Sequence, residues 1–581
     1  MPKIEVNEKL FFSLVGKKYS YNELEEKLTS AKAELDEAPD ESKNENERTI
    51  KIELNDTNRP DLWSTAGLAR QLALYAGKKH SDLYKNFFST ATKKQACKNR
   101  VVKVDSEIKN VRPYIVAFVM SGKKIDDALL KDIIQTQEKL AWNFGRKRKT
   151  ISMGVYRVNE IQFPVSYKAV DPDATSFVPL GFENKMTCRE IVAEHPKGKD
   201  YGWILNGMKK FPLLVDAKNE VLSMAPIINS ATLGAVQVGD SDLMVELTGT
   251  DLESLMLSAN IVACDFSDYG FSIEPIACEY PYETIFGKTV VAPFYFQKAT
   301  KAKQSAINKL LGSHFDEKEI LASLYRMGNV AHAVTVHSNK DDDIEFEVFP
   351  PPYRNDFLHE ADIIEEVMIG AGLENFTPES PRDFTIGRLL PVTILSRKIK
   401  MLMAGLGYQE MIFNYLGSKK DYIDSMRSDG KNVIEIANPM SENYEFVRPE
   451  IISSLLRAEG KSANALFPHK IFEVGKIAVI DESENTGTST QQHLGFLVAE
   501  AGANFNKAAS DVSSLLYFLA CAYEVRESHD ERFIEGRQAE VVSNGKLLGV
   551  FGEVHPEILE NWSITVPCFA GELNVDAIAS L

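Results

Sequence analysis

The chain has 581 residues, 44% of them apolar and 26% charged, and a formal net charge of −17. That length exceeds what a single core supports and suggests three or four domains, while the composition excludes disordered and fibrous classes. So acidic a chain does not coat nucleic acid over its whole surface, and any RNA contact is local. The first thirty residues do not resemble a signal peptide, and no run of about eighteen apolar residues occurs, so the expectation is a soluble, cytoplasmic chain without a membrane partner. Six cysteines, at 97, 188, 264, 278, 521 and 568, lack any C-x-x-C pairing. They read as free thiols in a reducing compartment.

In chain order, a short strand KIEV is followed by a helical stretch over 21–35 and a polar loop over 36–47. A strand at 49–54 leads into NDTNRPDLWSTAGLARQLALYAG, where Asn58, Pro60 and Asp61 are helix-entry chemistry ahead of Leu68, Leu72 and Tyr75. Between about 112 and 275 the alternating runs 114–120 and 151–155 read as strands, with a helix over 126–144 between them. Basic clusters stand at Arg146, Lys147, Arg148 and Lys149, at Lys298, Lys301 and Lys303, and at Arg397, Lys398 and Lys400. Each is either a solvated face or a local phosphate contact.

Residues 299–377 read as helix 301–311, helix 316–327 and strands near 332–337 and 344–349, the plan of a winged helix-turn-helix. Asp316, Glu317 and Glu319 open the second helix and would face phosphate badly. The unit ends in PPPYRNDFLHEADIIEEVMIGAGLENFTP (350–378), where Asp356, Asp362, Glu365 and Glu366 bring four carboxylates within reach of one another. The last three lie at i, i+3 and i+4, one stripe of a helix whose Ile363, Ile364, Val367 and Ile369 supply apolar surface. Four like charges repel unless a cation sits among them, and an all-oxygen set selects Mg²⁺ or Ca²⁺. The alternative is a solvated helix N-terminus, where acidic side chains are favoured by the macrodipole. From about 385 onward the chain reads as mixed α/β with antiparallel strands, and Asn544-Gly545 between strands 538–543 and 546–552 marks a type I′ hairpin.

The run P-x-Y-R-x-D, then H-x-x-D-I-I-E-E and G-x-x-x-x-x-P, resembles the signature of phenylalanyl-tRNA synthetase beta subunits, of the shorter archaeal and eukaryotic type. So do N-R-P-D-L near the start, N-P-M-S…R-P-E…L-L in 437–456 and F-E-V-G-K in 470–480. The resemblance implies a multidomain α/β (α+β) fold: a small N-terminal domain (1–100), an editing-like, tRNA-binding module (101–285), a winged-helix-like module ending in a Mg²⁺-binding helix (299–377), and a catalytically inactive class II synthetase-like core with an antiparallel sheet (385–581). It further implies Mg²⁺ ligation by Asp356, Asp362, Glu365 and Glu366, in a site shared with the alpha subunit of an α₂β₂ heterotetramer. That complex would ligate phenylalanine to tRNA(Phe) with ATP cleavage to AMP and pyrophosphate, ATP and phenylalanine being bound mainly by alpha.

FVPL (177–180), HPKG (195–198), SMAPIIN (223–229) and ELTGTD (246–251) resemble the family's editing module, which hydrolyses tRNA mischarged with tyrosine. Where the family shows G-x-H-D-L-D this chain has GVYRVNE (154–160), so Tyr156 and Arg157 replace a histidine and an aspartate. Glu194 and His195 are left either to assist hydrolysis or, for His195, to cap a loop before Pro196. In the core, VRPE (447–450) resembles the first arginine element of class II enzymes, but no glycine-rich arginine segment follows Trp562. The chain alone is therefore expected not to aminoacylate, and no catalytic or nucleotide-binding residue is assigned to it. The rival classes are a free-standing aminoacyl-tRNA deacylase and a winged-helix nucleic-acid-binding scaffold.

Overall fold

The structure, a computed structural model, describes all residues except 1, 38, 41, 45, 57, 79–96, 98, 338–341 and 463–464. Parts of the loop 36–47 and of the segment 1–100 thus lie outside the described residues. The chain forms two compact units, Met1–Glu379 and Ser380–Leu581. It is a mixed α/β protein with several sheets, and among the described residues no helix is long and apolar enough to cross a membrane.

In the first unit, Thr49–Leu54 is the middle strand between Lys3–Asn7 and Ala33–Glu37. Its Ile50, Ile52 and Leu54 are buried, with the more exposed Thr49, Lys51 and Glu53 alternating between them. The helix expected over 21–35 ends early. A capping box at Ser20 and Glu23 opens Tyr21–Leu28, a single 3₁₀ turn follows, and Lys32 at φ 52° turns the chain into the strand Ala33–Glu37. Pairing with Thr49–Leu54 overrides the helical propensity of this Leu- and Glu-rich stretch.

A ten-stranded sheet follows, in which Leu243–Gly249 lies antiparallel between Tyr114–Ser121 and Ile151–Arg157. Helix Leu252–Asp268 packs on Tyr114–Ser121 and Leu243–Gly249, and every residue of Leu243–Gly249 is buried. The boundaries expected at 100 and 285 do not separate independent cores. Ile4, Phe11 and Leu68 share one hydrophobic cluster with Phe118, Leu247 and Met256, and the sheet runs on to Thr289–Ala292. The helix Thr65–Tyr75, buried over most of its length, is the wedge that joins them.

The third sheet has Asp343–Phe349 between Thr300–Lys303 and Val330–Val336. The helix expected from 301 begins only at Gln304, because the preceding four residues pair with Asp343–Phe349. Asp316 and Glu319 form a capping box, so the acidic start of Glu317–Arg326 serves the helix itself. The acidic helix Glu360–Ala371 lies against Glu317–Arg326 at Gly370, where an added Cβ would stand 2.1 Å from the Ser323 carbonyl oxygen.

In the second unit a seven-stranded sheet includes His469–Ile480, Thr488–Ala499, Cys568–Asn574, Lys546–Val554 and Phe533–Ser543. Leu494, Phe496 and Val498 belong to one core cluster and Leu497 and Ala499 to another, so both faces are covered. Helices Pro391–Gly405 and Phe505–Phe518 cover one face, and Ile452–Glu459 covers the other. Asn544 (φ 50°) and Gly545 (φ 78°) make the turn between paired Ser543 and Lys546, as the dipeptide foretells.

Gly370→Ala is expected to push the two helices apart and lower stability by about 1–3 kcal/mol, measured by urea unfolding of the full chain.

Candidate functional site

The acidic helix carries its carboxylates into two different environments. Arg354, only 2% exposed, bonds both oxygens of Asp356 at 3.0 and 2.7 Å and both oxygens of Glu366 at 2.7 and 2.9 Å. Asn329 adds a 2.9 Å bond to Glu366, and the buried Arg59 stands 4.0 Å from its other oxygen. Arg59 in turn holds Asp61 through two 2.9 Å bonds. The cation that four crowded carboxylates require is therefore, for two of them, a guanidinium of this same chain. Burial would raise the Asp356 pKa, but Arg354 beside it and Arg59 nearby outweigh burial and hold it down at about 2.

Asp362 and Glu365 face elsewhere. One oxygen of Asp362 accepts from the Leu358 and His359 backbone N–H groups, at 2.7 Å each, and so caps the helix. Glu365, its side chain 46% exposed, meets Lys32 at 2.9 Å, and Lys32 also holds Asp56 at 2.7 Å. Among the described residues no three Asp, Glu, His or Cys side chains stand together in a metal-holding arrangement. The expected set of four thus divides: Asp356 and Glu366 have their oxygens committed to Arg354, while Asp362 and Glu365 sit one turn apart on the more open side. The donors of that second pair are oxygens, the kind a hard cation takes, with one oxygen of Asp362 spent on the helix cap and Glu365 meeting Lys32.

The second arrangement is a cavity of about 420 Å³ inside the first unit. Its lining draws on each quoted segment of the middle region: Leu180, Lys197, Ser223 to Asn229, and Glu246, with Met153 and Val155 from the GVYRVNE strand and its approach. Glu246 is 2% exposed and lies across from Gly154 in the strand register. The Tyr156 hydroxyl donates to one of its oxygens at 2.9 Å, and the other has no hydrogen-bond partner among the described residues. Gly154 is required here, since a Cβ would come within 2.2 Å of the Tyr156 oxygen and 2.7 Å of Glu246. Burial lifts the Glu246 pKa to about 7 against the opposing pull of Tyr156 and Arg112.

His195 does not line this cavity. Its Nδ1 accepts from the Lys197 N–H at 3.1 Å and its Nε2 donates to the Leu180 carbonyl at 3.1 Å, so both ring nitrogens are spent on capping the helix Pro196–Tyr201 and tying down a loop. Glu194 is exposed outside it. The group that sequence reading missed is Glu246. Its signal, a lone carboxylate inside the apolar strand LMVELTG, was present in the ELTGTD segment.

In the second unit, Arg448 is fully buried and bonds Glu473 at 2.6 and 3.2 Å and the Lys476 carbonyl at 2.8 Å, under the Tyr415 ring. Glu450 of the same VRPE run pairs with Arg532. This arginine is a structural ion-pair partner.

The chain matches three family models: "Phe-tRNA synthetase beta subunit B1 domain" over residues 1–78, "tRNA synthetase B5 domain" over 300–373 and "Phenylalanyl tRNA synthetase beta chain CLM domain" over 378–575. A phenylalanine–tRNA ligase beta subunit of Treponema pallidum is 45% identical, and one of Borrelia turicatae is also 45% identical, each aligned over the whole of both chains. A crystal structure of an N-terminal fragment of the beta subunit from Pyrococcus horikoshii is 31% identical with a TM-score of 0.55, covering 64% of this chain and all of the fragment. The chain belongs to the family of phenylalanine–tRNA ligase beta subunits.

A raised carboxyl pKa costs stability as pH rises, because between about 4.5 and 7 the unfolded chain gives up a proton that folded Glu246 keeps. Glu246→Gln is expected to flatten that fall and to be more stable at pH 8 by about 3 kcal/mol, read from urea midpoints across pH.

Proposed function

We propose that this chain acts as the non-adenylating beta subunit of a short-form, cytoplasmic phenylalanine–tRNA ligase. With an alpha subunit it attaches phenylalanine to tRNA(Phe), cleaving ATP to AMP and pyrophosphate, in an α₂β₂ assembly where ATP and phenylalanine sit mainly on alpha. The observation that carries this reading is the ion pair of Arg448 with Glu473, which occupies the arginine an adenylating core would need for ATP. Large apolar side chains such as Phe384 (87% exposed), Ile386 and Met401 on the second unit support a protein partner there. Full-length similarity to the relatives, second unit included, speaks against a free-standing deacylase. The Asp316–Glu319 capping box speaks against reading the third sheet's helices as a DNA reader.

Mg²⁺ would be held by Asp362 and Glu365 together with donors from alpha, supplying positive charge that locks the subunit contact. Arg354 fixes the helix that presents them by clamping Glu366, one residue beyond Glu365. Asp362→Ala with Glu365→Ala in the coexpressed complex is expected to weaken assembly with alpha and lower phenylalanine-dependent pyrophosphate exchange about tenfold or more. An intact tetramer with unchanged Mg²⁺ dependence in that variant counts against the ligand role.

The cavity fits the side chain of a tyrosine esterified to tRNA. Its walls are largely apolar, and the free oxygen of Glu246 offers one hydrogen bond to a phenol hydroxyl. A site built around a buried polar group rejects the analogue that lacks the matching group, so phenylalanine leaves Glu246 unsatisfied where tyrosine does not. Glu246→Ala in the complex is expected to slow hydrolysis of tyrosyl-tRNA(Phe) on the order of a hundredfold. Hydrolysis that is undiminished in this variant removes the assignment.

A further inference from the structure

A surface continuous with this cavity has an unusual build. After the helix Asp127–Lys139 the chain makes a π-helical turn, Leu140–Phe144, and then holds Arg146, Lys147 and Arg148 in succession at φ 49°, 55° and 67°. Left-handed backbone costs about 1 kcal/mol or more for each residue with a Cβ, so three in a row persist only where the surroundings impose them. Arg112, 2% exposed, imposes them from below by donating to the carbonyls of Lys149 at 2.9 Å and Arg148 at 3.2 Å.

The run turns Arg148 inward, where it lines the cavity and bonds the Ile227 carbonyl at 3.1 Å, and leaves Arg146, Lys147 and Lys149 exposed. Arg148 and Lys197, both on the cavity wall, stand over the Tyr201 ring at 4.1 and 5.8 Å. Tyr201 meets the edge of Trp142 at 6.5 Å. Trp142 is 50% exposed, with the Lys147 ammonium 5.3 Å from its ring centre. An exposed indole edged with cations thus connects through one tyrosine to the cavity. Glu138 and Asp200 lie near Arg148, so the positive field is centred on Arg146, Lys147 and Lys149.

We propose that this surface binds the single-stranded 3′ end of the RNA substrate, one base stacked on Trp142 and the adjoining phosphates on Arg146, Lys147 and Lys149. The aminoacyl ester on the terminal ribose then enters the cavity past Arg148 and Lys197. Single-stranded nucleic acid is bound by this combination of a stacking ring and backbone-tracking cations. A duplex would use the cations and leave the indole idle, and an apolar protein partner would use the indole and strand the cations. The inference rests on the cavity's reading as an aminoacyl site, and the test separates the two.

With the coexpressed complex, steady-state hydrolysis of tyrosyl-tRNA(Phe) is compared for Trp142→Ala, Trp142→Phe and the unaltered protein. Trp142→Ala is expected to raise KM about tenfold with kcat within about twofold, and Trp142→Phe, which still stacks, to restore KM. In parallel, tryptophan fluorescence is followed while a short single-stranded RNA with the tRNA 3′ sequence and no amino acid is added. Quenching in the unaltered protein that disappears in Trp142→Ala supports the platform, even if the complex hydrolyses no tyrosyl-tRNA and the cavity reading fails. An unchanged KM in Trp142→Ala, or quenching that survives the substitution, overturns the platform.

Discussion

The arrangement of the first unit depends on burying two guanidinium groups and three carboxylates in one place. Arg59 and Asp61 come from the N-terminal segment, Arg354 and Asp356 from the turn after the third sheet, and Glu366 from the acidic helix between them. Each Arg-x-Asp segment closes its own bidentate pair, and Glu366 bridges the two. Taking such charges from water is expensive, and removing any one partner leaves the rest unpaired. The network is therefore all-or-none: it sets the acidic helix at one depth and leaves Asp362 and Glu365 on the open side, where Lys32 is within reach of Glu365.

The same logic of buried charge shapes the middle of the unit and the second unit. Arg112 satisfies carbonyls that a strained turn leaves exposed, and with Thr248 and Ser152 it anchors the strands that carry Glu246. Glu246 is a buried carboxyl with one oxygen unspent, as are Glu8 and Asp265, but of these three it alone lines the cavity, and an unspent acceptor on a cavity wall is available to a ligand. In the second unit Arg448 and Glu473 are fully reciprocal, and such a pair has nothing left to offer a nucleotide.

Much of the secondary structure was legible because periodicity and turn chemistry are local. Asn544-Gly545, the strand 49–54 and the acidic helix follow directly from their residues. The strands Ala33–Glu37 and Thr300–Lys303 were not, since each looks helical alone and becomes extended by pairing with a strand distant in the chain. Likewise the four carboxylates were visible as a set, but their division was not, because which of them Arg354 reaches is decided by how its turn packs on the helix, and Lys32, which meets Glu365, lies over three hundred residues upstream. His195 was legible as a loop cap from the proline that follows it. Glu246 was hidden because its meaning comes from Tyr156 and Gly154 on the neighbouring strand.

The central claim, that Asp356 and Glu366 serve as counter-ions of Arg354 rather than as metal ligands, is tested most directly by a double-mutant cycle. Arg354→Met and Glu366→Leu, singly and together, are compared by urea unfolding of the full chain with and without Mg²⁺. Each single change should cost about 3–5 kcal/mol, and the pair much less than their sum, equally in both conditions. Additive losses, or a coupling that emerges only when Mg²⁺ is present, would contradict it.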